Sequence, residues 1–566
     1  MRKSDRLRQP ATTADSPPER APAALRSPVD LLGEYWTDVA QRSVLLLDIL
    51  RERANNMLAH EAAGLPPLLH FESETVLDAR TFAHPVNYAL LRITACETDR
   101  LERFVREDAR PVMILDPRAG HGPGIGGFKR DSEVGMALRQ GHPVYFVIFF
   151  PEPQPGQSLA DVLHALRRFV EEVARRHPGK PPVLYGNCQA GWAVALLSAD
   201  CEGLAGPAVL NGSPLSYWAG APEANPMRLA GGLAGGAWLA HLLADLGDGR
   251  FDGAWLVQNF ENLNPGNTLW DKNDRVFADP DGERERFLEF ERWWTGFYFL
   301  SREEITAIVG NLFIGNQLEE GRFRICEGCY ADLTRVRNPL VIFASSGDNI
   351  TPPHQALNWV PVVYPSTDAL KAAGQRIVYL LNTHVGHLGI FVSASVAARE
   401  HRAILASVDA IERLAPGLYE MKLDDAPAGS LPAVRFEPRR VEDIRFDYPR
   451  KPFERVRALS EANTGFYRTF VGPWVRAFAT PWSAQLLKWS HPMRASRYLF
   501  SERFNPWMAG IATLAQIARE QRNPAAANNP LVAAERDASR QFSAALERFR
   551  VARDAAQEAL FRRIFG

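Results

Sequence analysis

Cysteine is scarce in this chain, and apolar runs long enough to cross a membrane are missing. The 566 residues include five cysteines, an odd number that does not make a disulfide framework and fits a reducing compartment. The longest apolar run, Val144–Phe150, has the length of a strand, whereas a membrane span needs roughly 18 residues. Charge of neither sign is in excess, since 65 Lys and Arg face 66 Asp and Glu, which argues against a nucleic-acid partner. We therefore expect a cytoplasmic protein.

The composition is that of a globular protein, and the chain is long enough for several domains. Hydrophobic residues make up 46% of the chain and charged residues 23%. Residues 1–28 are basic and rich in proline, without the apolar segment of a secretory signal, and we predict a disordered tail. Residues 29–105 start with apolar positions at helical spacing as far as Ala63, which predicts an N-terminal helical region. This first helix packs on the main domain in one interpretation and binds a partner or a surface in the other.

Short apolar runs alternate with helical segments over residues 106–413. This alternation predicts an α/β fold, with a mostly parallel central sheet and helices on both faces. The predicted strands are Val112–Leu115, Val144–Phe150, Val183–Tyr185, Ala208–Leu210, Leu340–Ala344 and Ile377–Leu381. The fourth and fifth strands lie too far apart for a single crossover, so residues 214–335 are predicted to be an inserted subdomain. Its many Trp and Phe residues form either an aromatic core or a lid over an apolar substrate channel.

The remainder is predicted to be a linker over residues 414–463 and a helical C-terminal region over residues 464–566. Thr464–Gly510 holds six basic residues, one acidic residue and four Trp. Three interpretations of this segment are open: it packs against the main domain, it lies in an amphiphilic interface, or its aromatic residues stack on single-stranded nucleic acid. The last helix, from about Leu531, carries an apolar face for docking or self-association.

The sequence around Cys188 has the pattern of a nucleophile elbow. A predicted strand runs into Gly186-Asn187-Cys188-Gln189-Ala190-Gly191, and an apolar helix follows. The sharp turn exposes the nucleophile above the sheet and tolerates only small residues two positions before and after it. Cys replaces the usual Ser, and the helix N-terminus behind it stabilises a thiolate. The alternative is a buried structural cysteine that happens to follow a strand.

Two later strands end in residues that would complete a catalytic triad. The strand Leu340–Ala344 leads to Asp348, and the strand Ile377–Leu381 leads to His384 and His387. The order nucleophile, acid, base is that of the α/β-hydrolase fold. We predict that His387 takes the proton of the Cys188 thiol and that Asp348 orients the imidazole. His384 is the rival base.

An oxyanion hole requires two backbone N–H groups near the nucleophile. Gln189 supplies one, and Arg118 or Ala119, in the loop after the first parallel strand, supplies the other. This loop also reads Gly122-Pro-Gly124-Ile-Gly126-Gly127, formally a dinucleotide motif. That motif requires the loop to open a helix and the next strand to end in an acidic residue, and the next strand here ends in Phe149-Phe150-Pro151-Glu152, so we expect the glycines to shape the oxyanion loop. We expect neither a cofactor nor a metal, because the lone pair Cys326 and Cys329 lacks the second pair of a zinc site. A redox role of that pair is the alternative to cysteines without function.

These motifs resemble those of the polyhydroxyalkanoate synthases, α/β-hydrolase-fold acyltransferases with a Cys in a modified lipase box. The resemblance runs from about Pro111 to Ala397 and includes GHPVYFVIFFPEP, GNCQAG, ADLTRVRNPLVIFASSGDNITPP and VGHLGIF. In that family the acid and the histidine lie in sequences similar to Gly347–Pro352 and Gly386-His387, which favours His387 over His384. The segments YWTDVAQRSVLLLDILRERAN and RTFAHPVNYALLRI look like an uncharacterised bacterial branch often labelled poly(3-hydroxyalkanoate) synthetase-like. The first of them is also similar to granule-coating phasin helices.

The resemblance implies an α/β-hydrolase-fold acyltransferase with an inserted helical lid and helical N- and C-terminal extensions. Cys188 would take a 3-hydroxyacyl group from a CoA thioester and pass it to a hydroxyl. The same triad would also serve a hydrolase, namely a thioesterase, an esterase or a polyester depolymerase. A third hypothesis is a non-enzymatic scaffold on a polyester granule or a membrane surface, and a homo-oligomer is a further expectation.

Overall fold

The computed structural model describes residues 27–96, 100–222, 224–425, 427, 430–446 and 448–566. A disordered tail was predicted over residues 1–28, and residues 1–26 of it lie outside the described residues. The strands are β1 Phe71–Asp78, β2 Tyr88–Cys96, β3 Val112–Leu115, β4 Val144–Phe149, β5 Val183–Asn187, β6 Ala208–Asn211, β7 Arg250–Asp252, β8 Phe299–Ser301, β9 Arg324–Cys326, β10 Cys329–Tyr330, β11 Leu340–Ser345, β12 Arg376–Asn382, β13 Gly417–Leu423 and β14 Val434–Arg439.

Ten of these strands form one sheet in the order β1-β2-β4-β3-β5-β6-β11-β12-β13-β14. In this order, the seven strands from β4 to β13 run parallel to one another. At the two edges of the sheet the pairing is antiparallel, between β1 and β2, between β2 and β4, and between β13 and β14. This is the predicted α/β-hydrolase architecture. Its parallel strands are buried on both faces, which explains why their sequences are unbroken apolar runs.

Helices lie on both faces of the sheet, between its strands, and at both ends of the described chain. Those before the insert and within it are α1 Pro28–Ala62, α2 Glu133–Arg139, α3 Leu159–Arg176, α4 Ala190–Asp200, α5 Met227–Leu233, α6 Trp238–Leu246, α7 Ala254–Leu263, α8 Lys272–Ala278, α9 Pro280–Trp294 and α10 Arg302–Ile308. The later ones are α11 Pro353–Leu357, α12 Trp359–Val363, α13 Thr367–Ala372, α14 His387–Val392, α15 Ala394–Val396, α16 Arg402–Ala406, α17 Val408–Glu412, α18 Arg450–Phe466, α19 Gly472–Phe478, α20 Pro481–Ser490, α21 Pro492–Phe500, α22 Met508–Glu520 and α23 Pro530–Phe565.

The two faces of the sheet are covered by different helices. The apolar sides of α3 and α4 share one core with the sheet, whereas α2, α16 and α17 share the core on the opposite face. Helix α3 begins with a capping box between Ser158 and Asp161 and buries one apolar stripe. Helix α4 is buried almost all round, which fixes the residues before it in place.

Two predicted regions differ from the structure. The helical region predicted over residues 29–105 is helical only in α1, and its remainder contains β1 and β2, which join the sheet. The linker predicted over residues 414–463 contains β13, β14 and the start of α18. The outer strands β1 and β14 expose many of their residues, and edge strands of this kind carry polar side chains that interrupt an apolar pattern.

The insert between β6 and β11 is covered from outside by the terminal helices. Helix α18 packs against α5 and α6, and α1 packs against α9, α21 and α22. Within the described residues, no single helix has the length and hydropathy to cross a membrane, and only the bent pair α5 and α6 meets these criteria in combination.

Candidate active site

Cys188 occupies the sharp turn between β5 and α4. Its backbone is left-handed, with φ of +48°, a conformation that non-glycine residues rarely adopt. Its N–H donates to the carbonyl of Asn211 on the neighbouring strand at 2.8 Å. A side chain at Gly191 would lie 1.9 Å from Ser213 Oγ, and one at Gly186 would lie 2.8 Å from Val194 Cγ2. The small residues of the motif therefore permit the turn that a nucleophile elbow needs.

Cys188, His387 and Asp348 form one hydrogen-bonded chain. His387 Nε2 lies 3.2 Å from Cys188 Sγ, and its Nδ1 lies 2.7 Å from Asp348 Oδ2. The other carboxylate oxygen of Asp348 accepts the N–H groups of Ile350 and Thr351, both at 2.8 Å. All three side chains are buried. The structure thus brings together the three residues that sequence analysis predicted as a triad.

The two groups hydrogen-bonded to His387 control its protonation. Burial disfavours the imidazolium, but the negative charges of Asp348 and Cys188 outweigh that effect and raise the pKa of His387 to about 10. The rival base His384 is exposed, and its backbone N–H donates to the side chain of Asn382. The contact to Cys188 is therefore made by His387 and not by His384.

The three residues predicted for the oxyanion hole lie in the loop after β3 and directly after Cys188, and all three line one cavity. Gln189 follows the nucleophile directly, and its side-chain Oε1 accepts the hydroxyl of Tyr217 at 3.1 Å. The Arg118 side chain turns away, because its guanidinium binds Asn87 Oδ1 at 3.0 Å and Glu304 Oε2 at 3.2 Å. At Arg118 and Ala119, the groups that could donate a hydrogen bond to an oxyanion are therefore the backbone N–H groups.

Asp116 holds the glycine-rich loop that follows β3. Its carboxylate accepts the N–H groups of Gly124 at 2.6 Å and of Gly126 at 3.1 Å. Burial raises the pKa of Asp116 to about 6, and these N–H donors act in the opposite direction. A side chain at Gly122 would collide with the ring of Tyr298 at 2.6 Å. The glycines are therefore explained by close packing around a carboxylate, not by a dinucleotide cradle.

A second buried carboxyl group, Glu133, supports the elbow from beneath. Its two oxygens accept the side-chain amides of Asn187 at 2.5 Å and of Asn211 at 2.9 Å. Asn187 directly precedes the nucleophile and also reaches Asp116 at 3.3 Å. Burial, with the nearby charge of Asp116, raises the pKa of Glu133 to about 8. Glu133 is therefore mostly protonated at neutral pH.

Sequence reasoning missed this network, although one signal pointed to it. Asp116, Asn187 and Asn211 lie at the carboxyl ends of three neighbouring parallel strands, where side chains of one sheet edge converge. Glu133 lies on a helix distant in sequence, and no local pattern distinguishes it.

His121, in the loop after β3, and the cysteine pair have other environments. His121 is buried against Trp293, with ring centroids 4.2 Å apart, and burial lowers the pKa of His121 to about 4. Cys326 and Cys329 form a disulfide between the short strands β9 and β10. Within the described residues, no group of three His, Cys, Asp or Glu side chains is arranged to hold a metal ion.

A mainly apolar cavity of about 360 Å³ is lined by residues that follow Cys188 and Asp348 in the chain, although Cys188, His387 and Asp348 themselves are not part of its lining. Its floor includes Gln189 and Ala190 of the elbow, Ala119 of the oxyanion loop, and Ile350 and Thr351 beside the acid. Its walls come from α3 and from the helices α5, α6, α7 and α10 of the insert; they include Leu163, Leu166, Leu239, Leu243, Phe260 and Ile308. The insert therefore encloses a space next to the elbow.

Five residues that line the cavity carry a buried polar atom without a hydrogen-bond partner among the described residues: Arg118 Nε, Trp192 Nε1, Asn225 Oδ1, Arg228 Nε and Thr351 Oγ1. Two of these atoms belong to residues close in sequence to Cys188 and Asp348. They are the indole Nε1 of Trp192, on the first turn of α4, and the hydroxyl of Thr351, three residues after Asp348. Buried polar groups are normally paired, so both are available to a bound molecule.

The sheet and the sharp turn at Cys188 define an α/β-hydrolase fold. The family described as "Protein of unknown function (DUF3141)" matches residues 38–566, and the chain belongs to this family. An "Uncharacterized protein in ackA 5'region" of Rhizobium meliloti is 44% identical over 549 residues, which span 94% of this chain and 74% of that protein.

Solved structures show only a distant similarity. The thioesterase domain from the curacin biosynthetic pathway is 13% identical with a TM-score of 0.32, covering 59% of this chain and 99% of that domain. A thermophilic esterase is 11% identical with a TM-score of 0.31, covering 60% of this chain and 98% of its own. Est1E from Butyrivibrio proteoclasticus is 8% identical with a TM-score of 0.31, covering 60% and 99%. None of these descriptions names a polyhydroxyalkanoate synthase, so that assignment stays a prediction.

Proposed function

We propose that this protein is an enzyme that cleaves acyl esters or thioesters through a covalent intermediate on Cys188. The observation that carries the proposal is the hydrogen-bonded chain from Cys188 through His387 to Asp348 at a strained elbow. Hydrolysis is the primary activity, since the same arrangement serves esterases and thioesterases of this fold class. The insert acts as a lid over the acyl group.

Acylation uses the thiolate of Cys188 and the imidazolium of His387. The sulfur attacks the carbonyl carbon, and the backbone N–H groups of Gln189 and Ala119 bind the resulting oxyanion. Collapse of the tetrahedral intermediate breaks the bond to the leaving alkoxide or thiolate, which takes the proton of His387 Nε2. The products of this step are an acyl-Cys188 thioester and a free alcohol or thiol.

Deacylation requires His387 to act as a base. Once Cys188 is acylated its negative charge is gone, and one of the effects that raise the pKa of His387 disappears with it. The neutral imidazole then accepts a proton from water as the water attacks the thioester carbonyl. The acid leaves, and the thiolate–imidazolium pair is restored.

The cavity favours an acyl group that is mainly apolar and carries oxygen. Its aliphatic and aromatic lining suits a hydrocarbon chain. The unpaired polar atoms of the lining, Trp192 Nε1 and Thr351 Oγ1 among them, suit an acyl group that carries an oxygen, such as a 3-hydroxyacyl group. This fit supports the substrate class that the sequence resemblance implies.

Transfer of the acyl group to a hydroxyl is the second candidate function. Cys188 is only 4% exposed and lies next to an apolar cavity, which limits the access of water to the acyl-enzyme. An alcohol bound in the cavity would then replace water as the acceptor. This candidate corresponds to the acyltransferase implied by the resemblance to polyhydroxyalkanoate synthases.

The deciding experiment measures release of free CoA from 3-hydroxybutyryl-CoA and hydrolysis of p-nitrophenyl esters by the wild type, Cys188→Ala and Asp348→Asn. We expect both reactions to fall by about 10⁴-fold in each variant. Intact mass spectrometry of the wild type should detect the acyl group on Cys188. The His384→Ala variant is the matched control and should retain full activity.

Product analysis separates the two candidates. Release of 3-hydroxybutyrate alone supports hydrolysis, whereas oligomeric esters support transfer. Equal turnover by the wild type and Cys188→Ala would overturn both, because each requires the same covalent intermediate.

A further inference from the structure

One long helix of the C-terminal region exposes a row of aromatic side chains. Helix α18, the π-helical turn Tyr467–Val471 and α19 form a continuous helix. Phe466, Phe470, Trp474 and Phe478 follow at intervals of four and are 61%, 61%, 68% and 77% exposed. A π turn contains more residues than an α turn, so it keeps four-residue intervals closer to one side of the helix.

The opposite side of this helix is already covered by the chain itself. Phe453 stacks on Trp218 with ring centroids 5.7 Å apart, and Tyr467 donates to Asp245 Oδ2 at 3.0 Å. Ser460 accepts the N–H of Ala237 at 2.9 Å. The exposed aromatic row is therefore not needed to dock the helix, and a helix that is apolar on both sides normally has a second partner.

The segments that follow this helix in the chain carry further exposed apolar side chains. Helix α20 packs beside α19 on α6, and α21 and the start of α22 follow it in the chain. The exposed large apolar residues that we name the aromatic face are Phe466, Phe470, Trp474, Phe478, Trp482, Leu486, Trp489, Leu499, Phe504 and Trp507. Trp507, at 88%, is the most exposed of them.

The charges of this face are positive. Arg468 and Arg503 are exposed and form no ion pair within the described parts of the chain. The one acidic residue between Thr464 and Gly510 is Glu502, which pairs with Arg51 at 2.5 Å. A second copy of this face would place arginines opposite arginines, so charge complementarity disfavours self-association and favours an anionic partner.

We propose that the aromatic face binds the surface of an anionic phospholipid bilayer. Trp and Phe side chains bury their rings at the boundary of headgroups and acyl chains, and flanking arginines attract anionic lipids. Helices α18, α19 and α20 pack on α6, which lines the cavity, so binding brings the cavity wall next to the bilayer. The proposal does not depend on catalysis and extends the proposed function by naming where the protein acts.

Vesicle flotation of the full chain tests this proposal. The vesicles consist of phosphatidylcholine alone or of phosphatidylcholine with phosphatidylglycerol. The test variant replaces Phe470, Trp474 and Phe478 by Ser, and a second variant carries Arg468→Glu and Arg503→Glu. The control replaces three exposed apolar residues outside the face by Ser: Phe104, Leu269 and Tyr330. Thermal melting of every variant checks that the chain remains folded.

We expect the wild type and the control to float with phosphatidylglycerol vesicles, and the aromatic variant to bind at least about 10-fold more weakly. The arginine variant should lose its preference for phosphatidylglycerol and its dependence on salt. Wild type that binds neither type of vesicle, or folded variants that bind like the control, would overturn the proposal. So would a wild-type dimer in sedimentation velocity that the aromatic variant converts to a monomer. Use of Cys188→Ala protein makes each outcome independent of the proposed activity.

Discussion

Cys188 combines a strained backbone with a buried thiol. The left-handed conformation costs a non-glycine residue about 1–3 kcal/mol, which the structure around the turn must offset. Hydrogen bonds from Cys188 N–H to Asn211 and from Gly191 N–H to the Cys188 carbonyl at 3.0 Å hold the turn in place. The thiol is thereby presented to His387 without a movement of the backbone, which is the condition for a preorganised nucleophile.

The titration of His387 should depend on Cys188. Replacing Cys188 by Ala removes one of the negative charges that raise the pKa of His387 to about 10. We expect a lower midpoint for His387 in Cys188→Ala than in the wild type, measured by NMR on protein labelled at histidine Cε1. The signal is assigned by its loss in His387→Gln. An unchanged midpoint would contradict a charged thiolate–imidazolium pair.

Glu133 should make the protein less stable as the pH rises. Its pKa is about 8 in the folded chain and 4.5 as an isolated group, so the folded state binds more protons between these values. The contribution of Glu133 is therefore complete below pH 4.5 and is lost as the pH rises through about 8, by a few kcal/mol. Glu133→Gln cannot ionise, and its free energy of unfolding should fall less steeply over this range.

Calorimetric melts across that pH range measure the difference in slope. The matched control is Glu152→Gln, because Glu152 is exposed and lies outside the network. Parallel curves for the wild type and Glu133→Gln would show that Glu133 does not titrate in this range.

At the scale of secondary structure, the elbow depends on how closely α4 approaches β6. Ser213, just after β6, lies against Gly191 on the first turn of α4. This contact brings the helix N-terminus close to the sheet, where its dipole favours the thiolate. A small change in this packing should therefore alter both stability and the geometry of the nucleophile.

Gly191→Ala should destabilise the fold, and Ser213→Gly should rescue it. The added methyl group would lie 1.9 Å from Ser213 Oγ and 2.2 Å from Ser213 Cβ, an overlap that costs roughly 1–3 kcal/mol. Removing the Ser213 side chain opens the space, so the double variant should recover part of the loss. Urea denaturation measures each free energy of unfolding. Gly465→Ala, which adds a methyl group to open space on α18, should cost nothing; additive losses at positions 191 and 213 would contradict the contact.

The sequence predicts strands correctly where burial on both faces of the sheet produces an unbroken apolar run. Strands β3, β4, β5, β6, β11 and β12 were predicted within two residues of their ends, because strands buried on both faces are unbroken apolar runs. Strands β1, β2, β13 and β14 were missed. Strands β1, β13 and β14 mix polar and apolar residues at the sides of the sheet, whereas β2 is mostly buried and was wrongly included in the predicted N-terminal helical region. Cys188, Asp348 and His387 could be brought together from sequence because each directly follows a parallel strand. Glu133 could not, because only the folded sheet brings α2 beneath Asn187.

At the scale of the whole molecule, ion pairs join the terminal helices to the insert and to each other. Arg494 makes a bidentate ion pair with Asp252, with its Nη2 at 2.8 and 2.9 Å from the two oxygens. Arg42 on α1 binds both oxygens of Glu535 on α23 at 2.7 and 2.8 Å. Such pairs fix orientation, and breaking the buried pair of Arg494 and Asp252 would leave an uncompensated charge. The cavity wall is therefore held in place from outside, and its shape should limit the acyl group.

Ala240→Phe in α6 should shorten the acyl chain that the enzyme accepts. Ala240 is 8% exposed and lines the cavity, so a larger side chain fills space that a long chain would occupy. We expect kcat/KM for long-chain p-nitrophenyl esters to fall by about 10-fold or more, because each excluded methylene forfeits binding energy, while acetate esters are hardly affected. Leu246→Phe, on the same helix but outside the lining, is the control and should leave kcat/KM unchanged for both long-chain and acetate esters. An equal loss for short and long esters would place the acyl group elsewhere, since a filled cavity discriminates only against chains that need it.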